Sequence, residues 1–228
     1  MIVINDRTPD TVGPELLARL RRIPPATIGH VLAFGFMDTA LRPIGQRRFS
    51  LCGPATTART MAIDSTVVHY AIDLAQPGDV LVIDRTGDTK HACWGEMTSL
   101  AAKVRGLAGT IVDGPATDVV EIDEMGYLVF SRGISPITTR SLAQFGEINT
   151  VVQCGGVTVA PGDIILADDN GVLVLKPDQV AELVEHCEPI AQREPTTRQR
   201  LGAGEPLSEL SNARTKIEAA LATQTGGH

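Results

Sequence analysis

Glu96, Asp113 and Asp118 stand close together in the middle of this chain: Glu96 follows Gly95 at the head of a helical pattern, and the two aspartates flank Gly114-Pro115. Carboxylates beside a helix start sit awkwardly with an anionic substrate. The first-turn N–H groups, here those of Met97 and Thr98, favour an anion, while the acids repel it. A divalent cation resolves the conflict, because carboxylate oxygens bind magnesium or manganese and the cation binds substrate oxygens. Each acid also has a plainer reading: Glu96 as a first-turn helix residue, Asp118 as a turn former. On residue types alone both readings stand open.

The elements that must position these groups form a strand–helix–strand unit. Val80-Leu81-Val82-Ile83-Asp84 is an almost wholly apolar run, which suits a strand buried on both faces. Met97, Leu100, Ala101, Val104, Leu107 and Ala108 recur at helical spacing, which predicts a helix with that stripe on the core and Gly109 as its C-cap. Thr110-Ile111-Val112-Asp113 then reads as a second strand. A right-handed crossover brings the helix start to the edge where both strands end, so all three acids are expected on one rim. The loop over residues 85–93 shares that rim. His91 within it is a candidate acid or base, set against an ordinary exposed histidine.

Elsewhere, apolar spacing predicts helices over residues 8–22 and 26–36, the second carrying His30. A strand is expected over 52–61 and a helix over 65–75, on which His69 and Tyr70 read as packing residues. Residues 119–125 read as a short helix and 128–130 as a strand, so Arg132 falls at a strand end, where a substrate contact is reasonable. From Thr150 onward short strands alternate with Gly, Pro and Asp turns in an antiparallel meander, with Asn170-Gly171 as a hairpin turn. Helices follow over 177–192, continuing to 201, and over 207–222, with 223–228 frayed. Arg47-Arg48 reads as a solvated basic pair.

With 228 residues the chain can bury a sizeable core. A net charge of −7 and a pI near 5.2 argue against a nucleic-acid surface. No run of twenty apolar residues and no signal-like start occur, so a cytoplasmic protein with no membrane partner is expected. Cys52, Cys93, Cys154 and Cys187 are scattered, which favours free, partly buried thiols. At 4% aromatic content, the core must be aliphatic.

Taken in order, Gly53-Pro54-Ala55-Thr56-Thr57-Ala58, Pro77-Gly78-Asp79-Val80, Gly95-Glu96, Val112-Asp113-Gly114-Pro115-Ala116-Thr117-Asp118 and Pro161-Gly162-Asp163 with Asp168-Asp169-Asn170-Gly171 form a specific set. The set resembles the family of regulator of ribonuclease activity A and 4-hydroxy-4-methyl-2-oxoglutarate aldolase, over about residues 25–205. The resemblance implies an α/β fold: a single RraA-like domain over residues 1–205 with a small parallel βαβ centre, an antiparallel β section and outer helices, and a helical tail over 206–228. It further implies a divalent-metal class II pyruvate aldolase that also decarboxylates oxaloacetate.

Under that resemblance the catalytic residues are Glu96, Thr117 and Asp118. Asp118 would bind magnesium or manganese directly and Glu96 through water. Glu194 of a neighbouring copy's tail would complete the metal set, with Glu188 as the other candidate. Gly95, Glu96, Met97, Thr98 and Arg132 would contact a small 2-oxo acid, and a water oriented by the carboxylates would serve as base. The implied assembly is a homotrimer or homohexamer.

One departure stands out. The family carries an arginine before its metal aspartate, and this chain has Thr117 there. A hydroxyl is one neutral donor where a guanidinium is a charged fork. Three readings follow: a changed substrate, a basic residue reaching in from elsewhere (Arg132, Lys90 or Arg140), or lost catalysis. The last would make the chain a regulatory binding protein of the ribonuclease E inhibitor type.

Overall fold

The computed structural model describes residues 1–45 and 50–225. Arg47-Arg48 and the last three residues of the expected frayed end lie outside the described residues. In chain order the elements are β1 (Ile2–Ile4), α1 (Pro14–Leu20), α2 (Pro25–Ile28), β2 (Arg42–Pro43), β3 (Ser50–Arg59), α3 (Thr66–Leu74), β4 (Val80–Asp84), α4 (Glu96–Arg105), β5 (Gly109–Val112), β6 (Pro115–Ala116) and α5 (Val119–Met125). They continue with β7 (Val129–Ser131), β8 (Gly133–Ile134), β9 (Gly146–Ile148), β10 (Val152–Cys154), β11 (Val157–Val159), β12 (Ile164–Asp168), β13 (Gly171–Leu175), α6 (Val180–Gly202), α7 (Leu207–Leu210) and α8 (Ala213–Thr225).

β3, β4, β5 and β7 run parallel as neighbours, and α3, α4 and α5 make the crossings between them. β4 is buried at every position, as its unbroken apolar run requires. β9 and β1 extend the sheet beyond β3, and β2 extends it beyond β7. β3 belongs to two layers. Its second half pairs with β4, while its first half pairs antiparallel with β12, which returns through a two-residue turn as β13. Gly53 lies in that first half, facing the turn before β4: a Cβ there would stand 2.1 Å from the Gly78 carbonyl oxygen. The core is mainly aliphatic, with Trp94 stacked on Tyr127 at 6.4 Å and Phe130 as its buried aromatics. Among the described residues no helix is long and apolar enough to cross a membrane.

The fold departs from the sequence pattern in four places. α1 begins at Pro14, not at residue 8, because the preceding segment is held extended by Arg7, whose guanidinium pairs with Asp79 and Asp10 at 2.6 Å each. The expected helix over 26–36 stops after one turn at Gly29; His30, Phe34 and Phe36 are exposed, and Gly35 sits at φ +86°. α4 ends on Gly106 in the left-handed region, whereas Gly109 opens β5. α4 also buries Ser99 and Ala102, not the predicted stripe, leaving Met97, Leu100 and Val104 exposed. The C-terminal helix over 207–222 is two, α7 and α8, separated at Asn212 with φ +57°.

Candidate functional site

The chain after β5 turns back over the beginning of α4. Thr117 N–H donates to the Trp94 carbonyl at 2.9 Å, which ties this turn to the residue before Gly95. Asp118 then adopts the left-handed region, φ 53° and ψ 44°, where a residue with a side chain costs on the order of 1 kcal/mol. That backbone aims its carboxylate at the helix start. Oδ2 accepts the Glu96 N–H at 3.0 Å, and Oδ1 accepts the Thr117 hydroxyl at 3.1 Å. Gly95 makes the approach feasible, since a Cβ there would lie 2.4 Å from Oδ2 of Asp118. Thr98 braces the turn from the helix side: its hydroxyl accepts the Gly95 N–H at 2.9 Å. Below, buried Trp94 Nε1 donates to Ser99 Oγ at 2.8 Å.

Gly95, Met97, Thr98, Thr117 and Asp118 line a cleft of about 200 Å³. That is small beside the roughly 300–1,000 Å³ of drug-sized pockets, and it suits a small metabolite. The first-turn N–H groups of Met97 and Thr98 have no acceptor within the helix. The facing wall is made by Ser65, His69 and residues 138–141. Asp64 holds this wall. Its buried carboxylate accepts the N–H groups of Thr66, Leu142, Gln144 and Phe145 and the Thr66 hydroxyl. Burial opposes its ionisation, yet these donors, Thr66 foremost, keep the carboxyl well below the usual carboxylate range.

The structure thus brings Gly95, Glu96, Met97, Thr98, Thr117 and Asp118 together, and it separates others that were expected near them. Asp113 faces a different neighbourhood: it pairs with Arg132 Nε and accepts the Gly155 N–H at 2.9 Å. Arg132 pairs on its other side with Asp38 at 2.7 Å. Two carboxylates thus hold that guanidinium, and it lines a separate cleft of about 530 Å³. Opposite charge explains why Asp113 leaves the rim shared by Glu96 and Asp118. Glu194 on α6 accepts the Thr27 hydroxyl at 3.0 Å and lines another cleft, while Glu188 pairs with Arg19 at 2.7 Å. His91 Nδ1 lies 2.8 Å from Asp88 Oδ2 in the 85–93 loop. His69, which reads as a packing residue by spacing, is exposed and lines the Asp118 cleft. Nothing local in the sequence marks it, because only the docking of α3 against the 138–141 segment puts it there.

Asp118 is a hard oxygen donor lining the cleft, whereas Glu96 meets it through its backbone amide and its side chain is not part of the cleft wall. Among the described residues no three Asp, Glu, His or Cys side chains converge. A single carboxylate in a cleft open to solvent fits a magnesium-like ion, which keeps several waters and uses one or two carboxylates plus substrate oxygens.

The family model described as "RraA-like: Aldolase/RraA" matches residues 29–174. An uncharacterized protein of Methanocaldococcus jannaschii is 33% identical over 174 residues, covering 75% of this chain and 83% of the relative. A Halalkalibacterium halodurans protein named "Putative 4-hydroxy-4-methyl-2-oxoglutarate aldolase" is 31% identical over 172 residues, 75% of this chain and 81% of its own length. Among solved structures, Streptomyces coelicolor RraAS2, described as an unusual member of the RNase ES inhibitor RraA protein family, superposes with a TM-score of 0.72. It is 27% identical and covers 84% of this chain and 99% of its own.

Proposed function

The chain belongs to the RraA-like family, and on that premise we propose that it is a divalent-metal-dependent carbon–carbon lyase of the class II pyruvate aldolase and oxaloacetate decarboxylase type, acting on a small 2-oxo acid in the cytoplasm. The observation that carries this reading is the seat of Asp118, a carboxylate on strained backbone held against the amide-rich start of α4 inside a small cleft. Asp118 directly, and Glu96 through water, would hold magnesium or manganese, whose Lewis acidity stabilises the negative charge that develops as the carbon–carbon bond breaks.

The chain's own groups do the rest. The Met97 and Thr98 amides receive the substrate carboxylate, as helix starts do for anions. Gly95 keeps the approach to these amides free of a side chain. Thr117 offers its hydroxyl where a charged donor would act more strongly, and its bond to Oδ1 fixes one Asp118 oxygen. The Trp94–Ser99 bond holds the floor beneath the first turn, so the amides keep one orientation. A water oriented by Asp118 and Glu96 would take the substrate's hydroxyl proton as the carbon–carbon bond breaks and return it to the carbon that becomes the pyruvate methyl group. A second copy of the chain would cover the exposed stripe of Met97, Leu100 and Val104, in a homotrimer or homohexamer.

The test is pyruvate release from 4-hydroxy-4-methyl-2-oxoglutarate or oxaloacetate with magnesium or manganese, corrected for the metal-only background. Chelator should abolish it. Asp118→Asn should lower it on the order of a hundredfold, while its amide oxygen still accepts the Glu96 N–H and keeps the fold. Wild-type protein that releases no pyruvate above background would overturn the lyase. It would leave a family member with a changed substrate or a non-catalytic binding protein, the latter being the reading that the likeness to RraAS2 supports.

A further inference from the structure

Most positive groups near the Asp118 cleft are engaged or lie outside it; Lys90 and Arg42 have no side-chain partner among the described residues, but neither lines the cleft. Arg132 is held between Asp113 and Asp38. Arg85 is fully buried and donates to Asp88 and to the Ala62 and His91 carbonyls. Arg59 pairs with Asp84 and Glu147. At the far end of α4, Arg105 donates to the Asp73 and Ala75 carbonyls, and Lys103 to that of Met125. Arg140 differs from all of these. Its side chain is exposed, lines the Asp118 cleft and has no hydrogen-bond or ion-pair partner among the described residues.

Its backbone, by contrast, is fixed. The Arg140 N–H donates to the Ile63 carbonyl at 2.6 Å, its carbonyl accepts the Ser65 N–H at 2.9 Å, and residue 140 bridges Asp64 in parallel register. Asp64 also gathers the N–H groups of Leu142, Gln144 and Phe145, so the chain just beyond Arg140 is anchored by a buried carboxylate. An arginine on a rigid backbone loses only side-chain freedom on binding, and its planar fork matches a carboxylate with two parallel bonds.

The cleft is therefore polarised. One wall carries Asp118 and the start of α4; the other carries Arg140, with His69 beside it and otherwise neutral hydroxyls. A ligand with one anionic end would leave one wall unmatched. We propose that Arg140 is the specificity-determining residue of this cleft, receiving the distal carboxylate of a dicarboxylic 2-oxo acid whose reacting end lies at Asp118. This deepens the lyase reading and rests on its placement of the 2-oxo end.

The experiment reads binding without turnover. The full-length protein in manganese is titrated calorimetrically with 2-oxoglutarate, which has two carboxylates, and with 2-oxobutyrate, which has one. Wild type should bind the dicarboxylate at least about tenfold more tightly. Arg140→Gln should remove that preference by weakening 2-oxoglutarate about tenfold while leaving 2-oxobutyrate within about twofold, and Arg140→Lys should keep part of it. An unchanged melting temperature confirms that the exposed substitution leaves the fold intact. No preference in wild type, or an Arg140→Gln variant that weakens both acids alike or neither, overturns the proposal. The two readings fail separately: selective loss in a protein that releases no pyruvate sinks the lyase alone, and unaltered discrimination in an active enzyme sinks only Arg140.

Discussion

Gly95→Ala adds one methyl group at the contact on which the site depends. The new Cβ would lie 2.4 Å from Oδ2 of Asp118 and 2.8 Å from the Thr117 methyl. Carbon contacts are comfortable near 3.5–4.0 Å, so the carboxylate must move by about an ångström. The backbone at Gly95 is extended, φ −158° and ψ −158°, so no left-handed strain adds to the effect. That movement breaks the 3.0 Å bond from the Glu96 N–H. A hydrogen bond to a charged acceptor contributes about 1.5–3 kcal/mol, and solvent at this contact favours the lower end. About 1.5 kcal/mol corresponds to a Tm lower by roughly 3–6 °C in a chain of this size. The functional effect should be larger if the displaced group is the direct metal ligand, as proposed: manganese affinity should then fall about 10–100-fold. Scanning calorimetry without metal measures the first quantity, and titration with manganese measures the second. A variant with the lowered Tm but wild-type manganese affinity would reduce the Asp118 contact to a structural cap and refute the metal reading of the cleft. If neither quantity changed, the close approach at the start of α4 would itself be wrong.

Asp64→Asn replaces an oxygen that only accepts by a nitrogen that cannot, against four backbone donors, and should cost about 3 kcal/mol in urea denaturation. The Asp64 and Asp88 carboxyls lie lower in the folded chain than in the unfolded one, so the stability they confer is present above about pH 4 and lost as pH falls through their folded values. Urea midpoints should be level near neutrality and fall below about pH 4, with a shallower fall in Asp64→Asn; equal slopes would contradict the assignment. Burial pushes the Cys93 thiol up to about 11 and the Cys52 thiol up to about 12, so iodoacetamide at pH 8 should label both slowly until the chain unfolds. Because these values are raised, stability should also decline as pH climbs from about 9 through that range, and fast labelling of native protein would rule this out. If Glu194 completes a neighbour's site, mixing Asp118→Asn and Glu194→Gln chains before reassembly should restore about a quarter of wild-type pyruvate release, since a random mixture leaves that share of interfaces intact. No recovery would confine the site to one chain.

The βαβ centre was legible because β4 and β5 are buried on both faces and leave unbroken apolar runs, and because the turn chemistry of Asn170-Gly171 needs no tertiary context. The approach of Asp118 to the start of α4 at Glu96 followed from topology, since a crossover helix must start where its strands end, while Gly95 and Thr117 were marked by the resemblance. Side-chain choices made by distant charges were not legible. Asp113 lies on the rim in sequence, yet its carboxylate is taken up by Arg132 and the Gly155 N–H, away from the Asp118 cleft. His69 and Arg140 reach the site through the 138–141 segment, which has no periodicity to announce it. The helix over 26–36 failed for the opposite reason: its apolar residues had the right spacing, but the chain leaves the helical path and passes through Gly35 in the left-handed region at φ +86°.

α4 shows why site and assembly are one question. Spacing marks Met97, Leu100 and Val104 as its inner face, but Ser99 and Ala102 face inward instead. Small residues let the helix lie close against the layer beneath it, so that its first turn comes within reach of Asp118 and Trp94 can bond to Ser99. The consequence is that the large side chains point outward, with Met97 64% and Val104 81% exposed. Fully burying a side chain of this kind stabilises by about 1.5–3 kcal/mol, which is available only if another surface covers the stripe. The geometry that builds the cleft thus leaves an apolar face beside it, and a second copy seated on that face would also bring foreign side chains to the mouth of a cleft whose lining includes Asp118 as its one carboxylate among the described residues.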